Sequence, residues 1–304
     1  MNVLETSGLA KRYRNTWALR DCTLSVPAGR IVALVGPNGA GKTTLLHCGV
    51  GLCSPTQGTV TVLNGNAAGS LDALERVAFV AQDAPLYKNL SVRSMLAVTA
   101  NLNSRFDQAQ AMGRLGDLEI SLDRKVGKLS GGQQAQLALT LALARDPDLL
   151  VLDEPLARLD PLARHDFMGL VMAAVATRGF SVIFSSHVVS ELERFSDYLI
   201  VLAHGRVQMV GDIDDLLASH AILSGPAEEA GLVAARFAVV QTRSAARRAE
   251  LLVRTNEPVE LPSGWESDDV SLEELVLAYL RDPSASMLPG PPGLEEIPVT
   301  RATR

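Results

Sequence analysis

The stretch Ile31-Val32-Ala33-Leu34-Val35-Gly36-Pro37-Asn38-Gly39-Ala40-Gly41-Lys42-Thr43-Thr44-Leu45-Leu46 decides how the chain is read. Five apolar residues of strand type run into a glycine-rich turn, and Lys42-Thr43-Thr44 then opens an apolar helical pattern. The spacing is G-x-x-x-x-G-K-T, set between a strand and a helix. Glycines let the backbone turn so tightly that successive N–H groups and the helix N-terminus aim at one point, where the helix dipole favours negative charge. A polyphosphate suits that point. Lys42 would reach the β and γ phosphates, and the Thr43 hydroxyl would ligate Mg²⁺. Arginine supplies most of this chain's positive charge, so a lysine inside the loop is not compositional background.

Outward from this loop, residues 77–81, 149–152 and 182–184 are further short apolar runs rich in Val, Leu and Ile. Each leads into polar residues: Gln82, Asp153 with Glu154, and Ser185 to His187. Alternation of such runs with helical segments predicts an α/β domain with a largely parallel sheet, whose ligands bind beyond the carboxyl ends of the strands. Residues 2–7, 18–26 and 59–63 read as strands of an antiparallel portion, punctuated by Pro27-Ala28-Gly29 and Asn64-Gly65. Residues 84–145 predict an inserted helical subdomain, and residues 198–202 and 206–210 a hairpin turning at His204-Gly205.

Beyond residue 217 the composition changes. Residues 218–282 predict a small α+β appendage with β-like runs at 237–241 and 251–254. It ends in a helix whose capping box is Ser271 and Glu274 and whose apolar face is Leu272, Leu275, Val276, Tyr279 and Leu280. Residues 283–304, rich in Pro, Gly and Ser, are expected to be a disordered tail.

Length and composition narrow the function classes. A chain of 304 residues with 47% hydrophobic and 20% charged residues has enough apolar matter for about two folded domains. Lys+Arg 28 against Asp+Glu 34 gives net charge −6, so no basic field draws the molecule onto nucleic acid, and none is expected as partner. Cys22, Cys48 and Cys53 are odd in number with no C-x-x-C pair, which predicts a reducing, cytoplasmic compartment and buried thiols. With His47 they match no zinc spacing. Residues 1–9 lack a leader pattern, and the longest apolar candidate, residues 167–184, is broken by Arg178 and Gly179. A soluble protein is expected.

Two more motifs carry chemistry. Asp153 and Glu154 end the run Leu149-Leu150-Val151-Leu152 before Pro155. Adjacent strand side chains face opposite ways, so Asp153 would hold Mg²⁺ and Glu154 would polarise the attacking water. Leu129-Ser130-Gly131-Gly132-Gln133 precedes an apolar helix; Ser130 reads as an N-cap, and the N–H groups of Gly131 and Gly132 make a second phosphate-binding helix start.

Together, the phosphate loop, residues 129–133 and residues 149–155 resemble the nucleotide-binding subunit of ATP-binding cassette (ABC) transporters, over residues 2–217. The implied fold is a P-loop NTPase core with an antiparallel β subdomain and an inserted helical subdomain. The implied cofactors are ATP and Mg²⁺, and the implied assembly is a head-to-tail dimer of two copies of this chain. Gly36, Pro37, Asn38, Gly39, Ala40, Gly41, Lys42, Thr43 and Thr44 of one copy would bind each ATP, and Ser130, Gly131, Gly132 and Gln133 of the other would close over it.

The resemblance also makes Tyr13 the residue that stacks on adenine, with Trp17 its rival. Gln82 becomes the sensor of Mg²⁺ and attacking water, His187 the γ-phosphate contact, and Asp160 the aspartate at the dimer contact. Glu154, His187, Gln82 and Lys42 are thus the expected catalytic residues, and Thr43, Gln82 and Asp153 the expected metal ligands. Leu156-Ala157-Arg158-Leu159-Asp160 departs from the family's usual Ser-Gly before Leu-Asp, and Gln134-Ala135-Gln136 replaces a commonly basic segment. Neither departure touches the metal, base or phosphate groups, so hydrolysis is expected.

A motor without a span implies separate integral membrane permease subunits that hold the chain at the inner face of the cell membrane, with residues 82–99, including Leu86, Tyr87 and Leu90, as the link. The stretch from Leu86 to Val92 and the terminal helix resemble ABC-2-type exporter ATPases, which implies export. The alternatives are a soluble ABC ATPase that does not transport, and a regulatory cassette that binds ATP without turnover.

Overall fold

The structure is a computed structural model and describes residues 1–83, 85–157, 159–189, 192–255 and 260–282. Arg158 and the expected tail at 283–304 lie outside the described residues. The chain divides into two compact units, Met1–Val210 and Gly211–Arg304, whereas the sequence reading set the division after residue 217.

The first unit opens with a long antiparallel hairpin of β1 (Asn2–Tyr13) and β2 (Thr16–Pro27). After β3 (Ile31–Val35) and α1 (Lys42–Gly49), β4 (Gln57–Val62) pairs antiparallel with β1 and β5 (Asn66–Ala67) with β4. The resulting sheet has the order β2-β1-β4-β5. Leu9, Leu19, Leu24, Val26 and Val62 from this sheet share one apolar cluster with Leu45 and Leu46 of α1 and with Val32 and Leu34 of β3.

The second sheet joins β3 with β6 (Val77–Val80), β7 (Leu149–Leu152), β8 (Ser181–Ser186), β9 (Tyr198–Ala203) and β10 (Arg206–Asp212) in the order β10-β9-β3-β8-β7-β6. From β9 to β6 each strand pairs parallel with its neighbour. Every residue of β3, β7 and β8 is buried, which explains why these strands read as unbroken Val, Ile and Leu runs rather than alternating ones. The turn into β10 has both His204 (φ 51°) and Gly205 (φ 73°) left-handed, the twist that suits a two-residue hairpin.

Helix α2 (Leu71–Arg76) precedes β6, and α3 (Val92–Leu102), α4 (Gln108–Asp117) and α5 (Gly131–Leu143) make up the helical insert. Ser70, Ser91, Asp107 and Ser130 each cap one of these helices by accepting a backbone N–H, which is why they start where they do. Met95, Leu96, Leu115, Leu137 and Leu141 form the insert's own core. The break at Gly179 (φ 70°) ends α6 (Pro161–Arg178) and turns the chain into β8, so the 167–184 run is helix as far as Arg178 and strand from Ser181. Among the described residues no helix is long and apolar enough to cross a membrane.

In the second unit, α7 (Ile213–Ala218), β11 (His220–Pro226), α8 (Ala230–Ala234), β12 (Ala238–Ala245), β13 (Arg248–Arg254), β14 (Glu266–Asp268) and α9 (Leu272–Arg281) follow in order. The strands form an antiparallel sheet β12-β13-β11-β14. α9 opens with the Ser271–Glu274 capping box and buries Leu272, Leu275, Val276 and Tyr279; Leu280 is only half-buried. β11 and β14 were not anticipated, because neither has a strong alternating pattern and both gain strand form by pairing across the sheet.

His220, 5% exposed, binds this unit together. Its Nδ1 lies 2.7 Å from the Leu216 carbonyl and so donates, while Nε2 accepts from the Tyr279 hydroxyl at 2.9 Å; Arg254 donates to the same hydroxyl. Burial first, and the Arg254 charge as well, push His220 down to about 4 from 6.5, against the bond to Leu216. The unfolded chain therefore takes up a proton near pH 6.5 that the folded chain refuses until about pH 4. Stability conferred by the neutral ring is complete above that window and lost as pH falls through it, by on the order of 3 kcal/mol. In urea titrations of a Trp17→Phe background followed by Trp265 fluorescence, this loss should appear between pH 6.5 and 4, and His220→Gln should flatten it.

Candidate active site

The parallel register brings distant residues to one edge. β3 pairs Leu34 with Ser185 and Val35 with Ser186, and β8, β7 and β6 place Phe184, Leu152 and Val80 level with one another. One step beyond Phe184, Leu152 and Val80 stand Ser185, Asp153 and Ala81, with Glu154 and Gln82 next, while Gly36 and His187 follow Val35 and Ser186.

The loop after β3 is shaped by its neighbours. A Cβ at Gly36 would fall 2.1 Å from the Leu202 carbonyl oxygen, and one at Gly41 would fall 2.6 Å from the Ala18 carbonyl oxygen. Gly41 also has φ 107°, so only glycine fits there. Below the loop, the Gly205 N–H donates to the Ala40 carbonyl at 3.0 Å, and the Arg20 N–H donates to the Gly205 carbonyl at 2.7 Å. α1 starts on Gly41 with no side-chain cap and no acidic residue in its first turn, which leaves its N-terminal dipole for a ligand. Thr43 is exposed there and Thr44 half-buried.

Lys42, 5% exposed, donates from Nζ to the carbonyls of Gly36 (2.8 Å) and Pro37 (3.3 Å) and lies 3.3 Å from Glu154 Oε1. Gln82 Nε2 donates to Glu154 Oε2 at 3.3 Å, and His187 Nδ1 stands 3.5 Å from the same oxygen. One carboxylate thus gathers the three other expected catalytic residues. β7 ends at Leu152, so strand alternation does not separate the two acids as the sequence suggested; a left-handed turn at Glu154 (φ 44°) does.

Asp153 is 2% exposed. Its Oδ1 accepts from the Ser185 hydroxyl at 2.7 Å, and that hydroxyl oxygen accepts the Glu154 N–H at 2.8 Å. Ser185, itself fully buried, thus bridges the Asp153 carboxylate and the Glu154 backbone. It was missed as a site residue; the first of two hydroxyls, Ser185-Ser186, ending Val182-Ile183-Phe184 was the available signal. Among the described residues no three His, Cys, Asp or Glu side chains cluster to hold a metal alone. Thr43, Gln82 and Asp153 offer oxygen donors, which suits a hard cation that completes its shell with phosphate and water.

Tyr13 is 47% exposed, with its hydroxyl 3.8 Å from Cys53 Sγ and Lys11 Nζ 5.1 Å from its ring centroid. Burial of the phenol, then its bond to Cys53, raise its pKa, while a bond to Thr44 opposes them. Arg12 pairs with Trp17 across the hairpin and lies 5.6 Å from that ring; alternation sends Tyr13 to the other face, toward α1. Ser130 and Gln133 complete a reciprocal capping box at the start of α5, and none of the bonds around Glu154 reaches them. A Cβ at Gly132 would lie 3.7 Å from that of Ala163, so this turn packs on the start of α6, which Asp160 caps.

Several known proteins resemble this chain. Residues 19–157 match the family model described as ABC transporter. Nod factor export ATP-binding protein I of Burkholderia orbicola is 36% identical over 209 residues, 67% of this chain and 68% of that one. Thiamine import ATP-binding protein ThiQ of Salmonella choleraesuis is 33% identical over 207 residues, 66% of this chain and 88% of that one. A solved structure described as the ATP binding subunit of an ABC transporter superposes with TM-score 0.63 at 30% identity, over 70% of this chain and 91% of that one.

Replacing Ser185 by Ala should strand the Asp153 oxygen and the Glu154 N–H together. The expected loss is about 2–3 kcal/mol of stability, visible as a lower urea midpoint; an unchanged midpoint would remove Ser185 from this role.

Proposed function

This chain belongs to the family of ABC transporter ATP-binding subunits, and from that premise we propose how its residues divide the work. It binds and hydrolyses ATP as the motor subunit of a transporter. The observation that carries the assignment of roles is the convergence of Lys42, Gln82 and His187 on the Glu154 carboxylate beside the uncapped start of α1.

The N–H groups from Gly36 to Thr44 cradle the phosphates, and the buried Lys42 ammonium neutralises the β and γ oxygens. Tyr13 stacks on adenine. Mg²⁺, when bound, neutralises charge on the phosphate oxygens, and Thr43, Gln82 and Asp153 are the residues that would hold it. Glu154 polarises the attacking water and takes its proton; Gln82 orients that water, and His187 donates to the γ-phosphate. Ser185 fixes the Asp153 carboxylate in place through its hydroxyl.

Phosphate-binding groups on α5 do not serve the loop of their own chain in this scheme. Ser130 and Gly131 are exposed, Gly132 and Gln133 half-buried, and Asp160 exposed beside them, which supports their facing the nucleotide held by a second, head-to-tail copy. A groove of about 240 Å³ between β6 and the helical insert, lined by Phe79, Leu86, Met95, Thr99 and Leu141, is the proposed seat for a cytoplasmic helix of an integral membrane permease. That contact would hold the chain peripherally at the inner face of the membrane. We take the direction as export, on the likeness to the Nod factor export proteins.

Glu154→Gln should leave ATP binding intact, lower hydrolysis by about 10²–10⁴-fold, and make an ATP-dependent dimer persist on a sizing column. Unchanged turnover would take Glu154 out of its role. Lys42→Ala should weaken ATP binding by about a hundred-fold in equilibrium titration, since it removes a charge-assisted contact to phosphate. Wild-type affinity would contradict the assignment.

A further inference from the structure

Two thiols that ATP hydrolysis does not use stand directly behind the proposed adenine contact. Cys48 is buried in the last turn of α1, and Cys53 is half-buried just after the chain turns back. That turn is closed by the Gly51 N–H donating to the Cys48 carbonyl at 3.2 Å and the Cys53 N–H to the His47 carbonyl at 3.3 Å. The two sulfurs are 3.3 Å apart. About 1.3 Å of approach brings them to the ~2.05 Å of a disulfide.

The same segment is fastened to the strand that carries Tyr13. The Tyr13 hydroxyl meets Cys53 Sγ at 3.8 Å, Lys11 Nζ donates to the Ser54 carbonyl at 2.7 Å, and the Arg12 N–H donates to Thr56 Oγ1 at 3.0 Å. The Thr56 N–H returns to the Ala10 carbonyl at 2.8 Å. Movement of Cys53 toward Cys48 therefore pulls on the end of β1 and removes the thiol that the phenol contacts.

We propose that Cys48 and Cys53 are a redox-active pair that a peroxide closes to a disulfide, and that closure weakens ATP binding by displacing Tyr13. The second half rests on Tyr13 being the adenine contact.

Cys53 is the sulfur within reach of solvent. As thiolate it attacks one peroxide oxygen, the O–O bond breaks, hydroxide leaves, and Cys53 becomes a sulfenic acid. The Cys48 sulfur then attacks the Cys53 sulfur; the S–S bond forms, the S–O bond breaks, and the departing hydroxide leaves as water with the Cys48 proton. Two thiols and one hydrogen peroxide give one disulfide and two waters, the sulfurs losing the two electrons that the peroxide gains. Cys48 is pushed up to about 12, first by burial and then by the hydrogen bond and charge of Cys53, so it is not the sulfur that reacts first. Oxidation of Cys53 to a neutral sulfenic acid lifts that last constraint. Cys22, whose Sγ donates to the Gly205 carbonyl at 3.2 Å, has no part in this chemistry.

The test treats the purified full-length chain with hydrogen peroxide, blocks remaining thiols under denaturing conditions, and follows peptide masses and ATP affinity. The tryptic peptide from Thr43 to Arg76, which holds both cysteines, should lose two hydrogen atoms and resist blocking, while Cys22 is blocked. ATP affinity should fall about ten-fold, the worth of a lost aromatic contact, and a thiol reductant should restore it. Cys48→Ser, which keeps the Cys53 thiol against the phenol, should bind ATP as the reduced parent does and form no disulfide. Blockable Cys48 and Cys53 after peroxide, or a disulfide that leaves ATP affinity untouched, would overturn the proposal. Reduced Tyr13→Ala separates the two readings: weakened ATP binding with no further fall on oxidation supports the coupling, whereas undiminished binding overturns the adenine contact and leaves the disulfide itself standing on the mass data.

Discussion

A lysine ammonium and a glutamate carboxylate, 5% and 12% exposed, meet 3.3 Å apart where the wholly buried strands β3 and β7 end. Neither charge is tolerable at such a depth alone, because the cost of dehydrating an ion there is several kcal/mol unless a partner offsets it. The pairing therefore ties the phosphate loop to the end of β7. It also means that the groups that neutralise phosphate and polarise water are pre-positioned by the fold, with their dipoles already oriented before substrate charge develops.

Much of this architecture was legible in the sequence because its signals are local. The loop from Gly36 to Thr44 is a continuous motif whose glycines, lysine and flanking strand announce one another, and Ser130 reads as an N-cap from its own segment. Ser271 with Glu274 is a capping box readable from four residues. What was not legible depends on pairing between strands far apart in the chain. Ser185 meets Asp153 only because β8 lies beside β7 in one register, and the separation of Asp153 from Glu154 comes from a left-handed residue that no alternation rule foresees. The thiols behaved likewise: burial of Cys48 was expected from composition, while its approach to Cys53 follows from how the chain turns after α1.

The second unit shows the other limit of local reading. Its terminal helix was anticipated, yet β11 was not, since His220-Ala221-Ile222-Leu223-Ser224-Gly225-Pro226 has no clean period. It is a strand because β13 and β14 lie on either side of it. Gly225 shows how tightly this sheet is covered: a Cβ there would fall 2.2 Å from the Trp265 ring. The unit is thus a folded body with its own apolar centre and buried polar network.

The phosphate loop reads as a self-sufficient motif, but the structure makes it the product of a distant clasp. Leu202 presses its carbonyl against Gly36, and the hairpin turn at Gly205 ties Ala40 to β2. Those supports arrive only with the last strands of the unit, so during synthesis the loop emerges long before anything can hold its shape. Loop closure over such a span is entropically slow. A nascent chain would therefore gain these supports for its phosphate loop only once β9 and the turn into β10 have been made.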